Sequence, residues 1–290
     1  MAQESMPDIK RRMKSVGSTK QITKAMELVS ISKLKKSRTQ MELIQPYYNA
    51  VLSSIQEILT NSAGINHPMI DNREVKKKAF IVITADRGLC GGYNSNVIKK
   101  VVETLSDKDD SKFIVVGQKG INYFDRRDYD VVGRFTGISE SPSFMDATQL
   151  SNIVLKLYAE EEVDEVNIVY TEFINTITYE PKIIKLLPGE EIETDNNEET
   201  SNNPEGLREY EPSPEVVLDY LIPKYVKAVI YGSLIESSAS EHGARRFAME
   251  NATSNAEDML SDLNLVYNRA RQAAVTQEIS EIVSGADALN

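Results

Sequence analysis

The chain has 290 residues, of which 27% are charged and 41% apolar, with a formal net charge of −11. That length allows one large domain or two modest ones with a buried core, and the acidic balance argues against general nucleic-acid binding. Cys90 is the only cysteine, which excludes an internal disulfide, and the two histidines, His67 and His242, stand in no metal-binding frame. No apolar run approaches the roughly 20 residues of a spanning helix, and Met1–Arg12 lacks the apolar centre of a signal peptide. The sequence therefore reads as soluble and cytoplasmic, without a catalytic metal.

Charge is unevenly placed. Met1–Gln40 carries ten Lys or Arg against three acids, whereas Gly189–Glu211 carries nine acids against Arg208. A basic helix and an acidic loop meet different partners. The basic stretch has almost no aromatic residue interleaved before Tyr47, so it reads as a solvated face or a surface for acidic protein partners, not as a nucleic-acid site.

Residues 1–60 read as helix. Pro7 and Asp8 suit its start, and Ile9, Met13, Val16, Thr19, Ile22, Met26 and Val29 recur at helical spacing. Met41, Ile44, Tyr48, Val51, Ile55 and Ile58 continue the pattern, with Pro46 expected to kink or interrupt it. Residues 61–74 read as a connecting loop. Between 75 and 210 the period changes. Ala79–Thr84, Phe113–Gly117 and Val166–Tyr170 are short strand-like runs. They alternate with helix-length amphipathic stretches at Asn94–Leu105, Gly120–Arg127 and Phe144–Glu161, which predicts a parallel α/β sheet. Thr176–Leu187 predicts one or two edge strands that tolerate Pro181. Residues 188–209 read as an acidic mobile loop. Residues 211–290 then read as a second long helix, with Pro223 expected to bend or break it. Met259, Leu263, Val266, Ala270 and Ala273 step by four and three, as a coiled-coil seam does. Two long terminal helices can pair as an antiparallel rod, a shaft more than a catalyst.

Thr84–Asn94 (TADRGLCGGYN) lies between a strand and a helix, where a phosphate loop would sit, yet it fits neither GxxxxGK[ST] nor GxGxxG. A tight turn whose glycines allow positive φ or close packing is the favoured reading. Cys90 has no histidine nearby in sequence and reads as a packed thiol. Asp86 and Arg87 read as turn-stabilising or interface residues. Beyond Ala273 the last helix turns small and polar (Thr276, Gln277, Ser280, Ser284), a tip suited to turning inside a sleeve, with a frayed exposed end as the alternative.

Val275–Ala288 (VTQEISEIVSGADA) closely resembles the C-terminal signature of the gamma subunit of rotary ATP synthases. The resemblance extends through Tyr267–Gln272 and returns in Ile9–Arg12, Lys20–Glu27 and Lys33. It also covers Asp86–Gly91 with Asn94, and Tyr210–Pro212. It implies an α/β fold in which the N- and C-terminal helices form a long antiparallel coiled coil around a central Rossmann-like domain. It also implies a rotor shaft without an active site or cofactor. The implied partners are three alpha and three beta subunits, an epsilon subunit and the c-subunit ring, with membrane contact only through that ring. By motif position, Lys24, Met26, Arg271, Gln272, Thr276 and Glu278 are expected at the beta subunit, and Tyr210 and Glu211 at the foot near epsilon and the c ring. A bacterial protein on the cytoplasmic face of the plasma membrane is expected. Gly17 and Ser18 depart from the helix-favouring residues expected there, and the regulatory insertion with a cysteine pair, known from chloroplast relatives, is absent. The competing readings are an α/β enzyme using the Gly88–Gly92 turn for a phosphate ligand and an unrelated coiled-coil scaffold.

Overall fold

The computed structural model describes residues 5–61, 67, 69, 74–105, 110–175, 178–189 and 210–287. Most of the loops read at 61–74 and 188–209 lies outside them. Ten elements follow in order: α1 (Met6–Asn61), β1 (Lys78–Ile83), α2 (Tyr93–Thr104), β2 (Ser111–Val116), α3 (Gln118–Asp125), β3 (Asp130–Phe135), α4 (Phe144–Ala159), β4 (Glu165–Phe173), β5 (Tyr179–Leu187) and α5 (Pro214–Asp287). Two compact units result, one from Ile31–Arg245 and one from Met1–Ser30 with Arg246–Asn290.

The unit of residues 31–245 holds the sheet, in the order β3-β2-β1-β4-β5. β1 pairs in parallel with β2 and β4, and β2 with β3. β5 returns antiparallel to β4, so the sheet is mixed and not wholly parallel. Pro181 sits in that edge strand, where its missing N–H costs no ladder bond to a further strand. The inner strands are apolar on both faces because both are covered. On one face Ile81, Ile83 and Ile168 pack with Leu150 and Val154 of α4, Val51 and Ile55 of α1, and Leu218, Ile222 and Tyr225 of α5. On the other, Phe80, Val82 and Phe113 pack with Val97 and Val101 of α2 and Ile121 and Phe124 of α3. β3 had no counterpart in the sequence reading: its alternating burial and the Gly133 and Arg134 in DVVGRF hide it as an edge strand.

Pro46 and Pro223 lie inside unbroken helices, so of the two outcomes expected at each, a bend or a break, the break does not occur. Proline removes the bond to the carbonyl four residues back. Those carbonyls belong to Glu42 and Asp219, both exposed residues.

In the unit of Met1–Ser30 with Arg246–Asn290, α1 and α5 pair antiparallel. Thr23 Oγ1 meets Thr253 Oγ1 at 2.8 Å, and Lys20 Nζ meets Glu257 Oε1 at 3.0 Å. The inward positions of α1 are Ile9, Met13, Val16, Lys20, Thr23, Glu27 and Ser30; those of α5 are Met249, Thr253, Ala256, Leu260, Leu263, Tyr267 and Ala270. Both alternate steps of three and four, the 3.5-residue repeat of a left-handed coiled coil. The apolar stripes read from sequence drift off this seam. Ile22 is 60% exposed, Val29 55% and Met259 56%, while Thr23, Glu27, Ser30 and Thr253 are buried. The seam admits hydroxyl side chains among its apolar ones because their polar atoms bond within it or back to the helix: Thr253 Oγ1 donates to the Met249 carbonyl, and Ser30 Oγ to that of Met26.

A polar pair at a seam specifies register at a cost in stability. Replacing both threonines by isosteric valine removes both buried hydroxyls at once, which is neutral or favourable. The Thr23→Val/Thr253→Val double variant is expected to melt a few degrees higher, about 2–4 °C per kcal/mol gained. A melting temperature below that of the parent, followed by circular dichroism, would contradict this account of the seam.

Candidate functional site

The antiparallel pairing places the start of α1, Met6, opposite the neighbourhood of Ala270. Ala270 is the last residue of α5 with any partial burial, and Arg271–Ser284 is exposed throughout while remaining helical. This stretch, roughly 20 Å at 1.5 Å per residue, has no companion helix among the described residues. It carries four exposed apolar side chains: Val275, Ile279, Ile282 and Val283. An isolated helix of this length is marginal in water, and apolar residues repeating along it mark a contact surface.

The residues singled out from sequence fall in three places. Arg271, Gln272, Thr276 and Glu278 all lie on the unpaired part of α5. Arg271 and Glu278, seven apart, share one stripe, and Gln272 and Thr276 share the next. Thr276 Oγ1 donates to the Gln272 carbonyl at 2.9 Å. Lys24 and Met26 lie on α1. Lys24 Nζ reaches both carboxylate oxygens of Glu27, at 2.9 and 3.1 Å, and that bond raises the ammonium above its ordinary pKa. Met26 is half-buried. Tyr210 and Glu211 precede α5 in the other unit. Glu211 is exposed, and Tyr210 packs against the main core with its hydroxyl buried and unpartnered among the described residues.

The turn after β1 sits at the topological switch point, where β1 has β2 on one side and β4 on the other. In open α/β sheets this crevice takes ligands. Here the protein fills it with its own groups. Asp86 accepts from the Gln118 N–H at the start of α3 (3.1 Å), from the Gly137 N–H (2.9 Å) and from Ser139 Oγ (3.0 Å). Asn94 Oδ1 accepts from the Ala85 N–H at 2.8 Å, and Thr84 Oγ1 accepts from the Gly120 N–H while donating to the Val116 carbonyl. The N–H groups of Gln118 and Gly137 are thus already bonded to a carboxylate. Cys90 is buried beside this turn, and burial pushes its thiol pKa up, away from nucleophilic use. Among the described residues no group of three or more His, Cys, Asp or Glu is arranged to hold a metal ion.

Sequence reasoning missed the polar joint that binds this turn to the helices. Lys33 of α1 is hydrogen-bonded to Glu140, which follows β3, and holds its carboxyl below the usual range. Arg87 approaches the same carboxylate at 3.7 Å. From α5, Ser238 Oγ donates to the Glu140 carbonyl at 3.2 Å, and His242 Nε2 lies 3.3 Å from it. His242 is buried and its pKa falls to about 4, chiefly through desolvation, so it stays neutral at pH 7. Arg245 Nη2 donates to Glu241 Oε1 at 2.6 Å and to the Gly88 carbonyl at 3.4 Å. Burial pushes the Glu241 carboxyl up, and Arg245 opposes that shift. The available signal was the Glu241/Arg245 spacing of four inside a serine- and alanine-rich stretch of helix.

A mixed α/β sheet with two very long terminal helices, paired as a coiled coil and ending in an unaccompanied tip, defines a stalk protein. The family described as "ATP synthase" matches residues 5–289. The ATP synthase gamma chain of Alkaliphilus metalliredigens is 55% identical over 98% of each chain. The sodium-ion-specific gamma chain of Acetobacterium woodii is 49% identical over 99% of each. Among solved structures, the central stalk and c-ring assembly of the Tetrahymena thermophila mitochondrial ATP synthase contains a chain with TM-score 0.63 and 28% identity, covering 80% of this chain and 99% of that one. A chain of the Euglena gracilis mitochondrial ATP synthase rotor, at 18% identity and TM-score 0.67, shares the fold over 93% of this chain and 98% of its own. The chain belongs to the ATP synthase gamma-chain family, the central-stalk subunit of that complex. None of its described helices is long and apolar enough to cross a membrane.

Proposed function

We propose that this chain is the non-catalytic rotor shaft that couples proton or sodium flow to ATP synthesis and hydrolysis. It would turn inside a ring of three alpha and three beta subunits, seated on the epsilon subunit and the c ring. It would lie at the cytoplasmic face of a bacterial plasma membrane and touch the membrane only through that ring. The observation that carries this reading is the exposed helical tip at Arg271–Ser284. A lone helix with four exposed apolar side chains needs a surrounding partner, and a sleeve of subunits supplies one.

The shaft is asymmetric, so each of three equivalent neighbours meets a different face. Unequal contact free energy with the three is what sets three sites in different states. Arg271, Gln272, Thr276 and Glu278 form the proposed upper contact with beta, Lys24 and Met26 the lower one. The exposed cations Lys10, Arg11, Arg12 and Lys14 suit acidic loops of the catalytic subunits. Tyr210 and Glu211 form the proposed foot.

Reconstitution tests this. Mixed with the alpha and beta subunits of its own organism, the chain is expected to enter one large assembly at one copy per three beta subunits and to raise ATPase turnover. Arg271→Ala is expected to lower coupled synthesis roughly tenfold, the loss of one charge-assisted contact of about 1.5 kcal/mol. Exclusion from the assembly would refute the shaft reading, and unchanged coupling in Arg271→Ala would remove Arg271 from the contact.

A further inference from the structure

In the unit of residues 31–245, α2 and α3 cover one face of the sheet and α1, α4 and α5 the other. None of the contacts proposed above lies on α2 or α3. Between these two helices runs an open groove of about 710 Å³. Its floor is apolar. Ile98 and Val102, four apart on α2, line it together with Tyr123 of α3. Val102 is 38% exposed, whereas Ile98 and Tyr123 are half-buried against the core beneath. Its rim is basic. Lys119, Tyr123 and Arg126 follow one stripe along α3, with Arg127 beside them and Lys99 on the α2 side. Glu103 is the one acid of the lining among the described residues.

Four cations against one carboxylate reverse the balance of the whole chain, whose net charge is −11. Glu103 answers Lys99, at 3.5 Å along the same helix. The Arg127 guanidinium lies 3.9 Å over the Tyr123 ring. Asp125, next to Arg126 in sequence, is engaged by Arg134 at 2.8 Å. Lys119 and Arg126 therefore pair with no carboxylate among the described residues. Exposed cations gathered in this way repel one another, and an acidic partner turns that repulsion into attraction. The shape narrows the choice of partner. A flat bilayer does not reach a floor sunk between two helices. Single-stranded nucleic acid stacks its bases on open aromatic faces, but Tyr123 is the one ring of the lining and Arg127 already covers a face of it. A third helix fits, because helices pack ridge into groove. The 12 residues of α2 offer it a bed of about 18 Å, roughly three turns.

We propose that the groove between α2 and α3 docks an acidic amphipathic helix of a partner protein, its apolar stripe on Ile98, Val102 and Tyr123 and its carboxylates at Lys119 and Arg126. The inference does not rest on the shaft reading. The test uses the full chain and fluorescence anisotropy. The probe is a labelled helical peptide of roughly 14 residues, with leucine along one stripe and glutamate on its flanks. Saturable binding is expected, weakening as salt rises from about 50 to about 300 mM. Lys119→Glu/Arg126→Glu is expected to lower the affinity roughly tenfold or more, since two attractions become repulsions. Both side chains are exposed, so this variant is expected to keep the parent melting temperature. Val102→Glu, which puts a charge on the exposed part of the floor, is expected to weaken binding as much. A peptide with lysine in place of glutamate is expected not to bind. Absence of saturable binding, or a lysine peptide that binds as tightly, would overturn the proposal. So would unchanged affinity in Lys119→Glu/Arg126→Glu, which would assign the peptide to the basic start of α1. Tighter binding of phosphatidylserine vesicles or of a thymidine oligonucleotide at the same two residues would also overturn it.

Discussion

Arg245→Met is expected to destabilise the protein by about 3–5 kcal/mol, the cost of leaving a buried charge without its partner. Glu241 is fully buried, and its close contact is the Arg245 guanidinium at 2.6 Å. The substitution also strips the Gly88 carbonyl of a donor, which loosens the turn after β1. The Glu241→Gln/Arg245→Met double variant is expected to recover much of the loss, because no charge then remains to be buried. pH gives a second readout. With Arg245 gone, the main counterweight to the burial that raises the Glu241 pKa is lost. A carboxyl whose folded pKa is raised contributes stability below its unfolded value and loses it as pH rises through the folded value. The deficit of Arg245→Met should therefore shrink on acidification from pH 7 towards pH 5. Urea midpoints measured across that range test it, and a deficit independent of pH would contradict the role given to Glu241.

Gly117→Ala is expected to be at least as damaging, above about 4 kcal/mol, in the range reserved for backbone strain combined with overpacking. Gly117 has φ +93°, and a Cβ there would lie 2.6 Å from the Thr84 carbonyl carbon and 2.8 Å from that of Ala85. These are backbone atoms, and they cannot swing away. The Gly117 N–H is bonded to the Phe135 carbonyl and the Thr84 N–H to that of Val116, both at 2.8 Å, so the two chains are pinned together. Gly137→Ala is the control: its φ is +80°, but an added Cβ meets nothing within 4 Å. It should cost only the conformational strain, about 1–2 kcal/mol. Equal losses in the two variants would show that close approach at Gly117 is not the cause.

Some of this architecture was legible in the chain. β1, β2 and β4 are continuous apolar runs because both faces of the sheet are covered, and the helices between them keep a clear amphipathic period. β3 was not legible, since an edge strand needs few apolar residues and here contains Gly133. The coiled-coil seam was legible in part. Apolar periodicity placed Ile9, Met13, Val16, Leu263 and Ala270 on it, but the Ile22, Val29 and Met259 it also picked face outward, and Thr23, Glu27, Ser30 and Thr253 take inward positions instead. The family was visible only through the ordered motifs at both ends and at the turn after β1. The polar joint of Lys33, Glu140, His242 and Arg245 draws on residues more than a hundred positions apart, and its one local trace is the Glu241/Arg245 spacing of four.

The central claim is rotation, and the most direct measurement is to watch it. With alpha and beta subunits fixed to a surface, a bead would be attached to a cysteine introduced at exposed Glu160 of this chain, leaving buried Cys90 unlabelled. Addition of ATP is expected to drive the bead in one direction, in three steps per turn. A bead that stays still, or wanders without direction, while the assembled complex hydrolyses ATP would contradict the account.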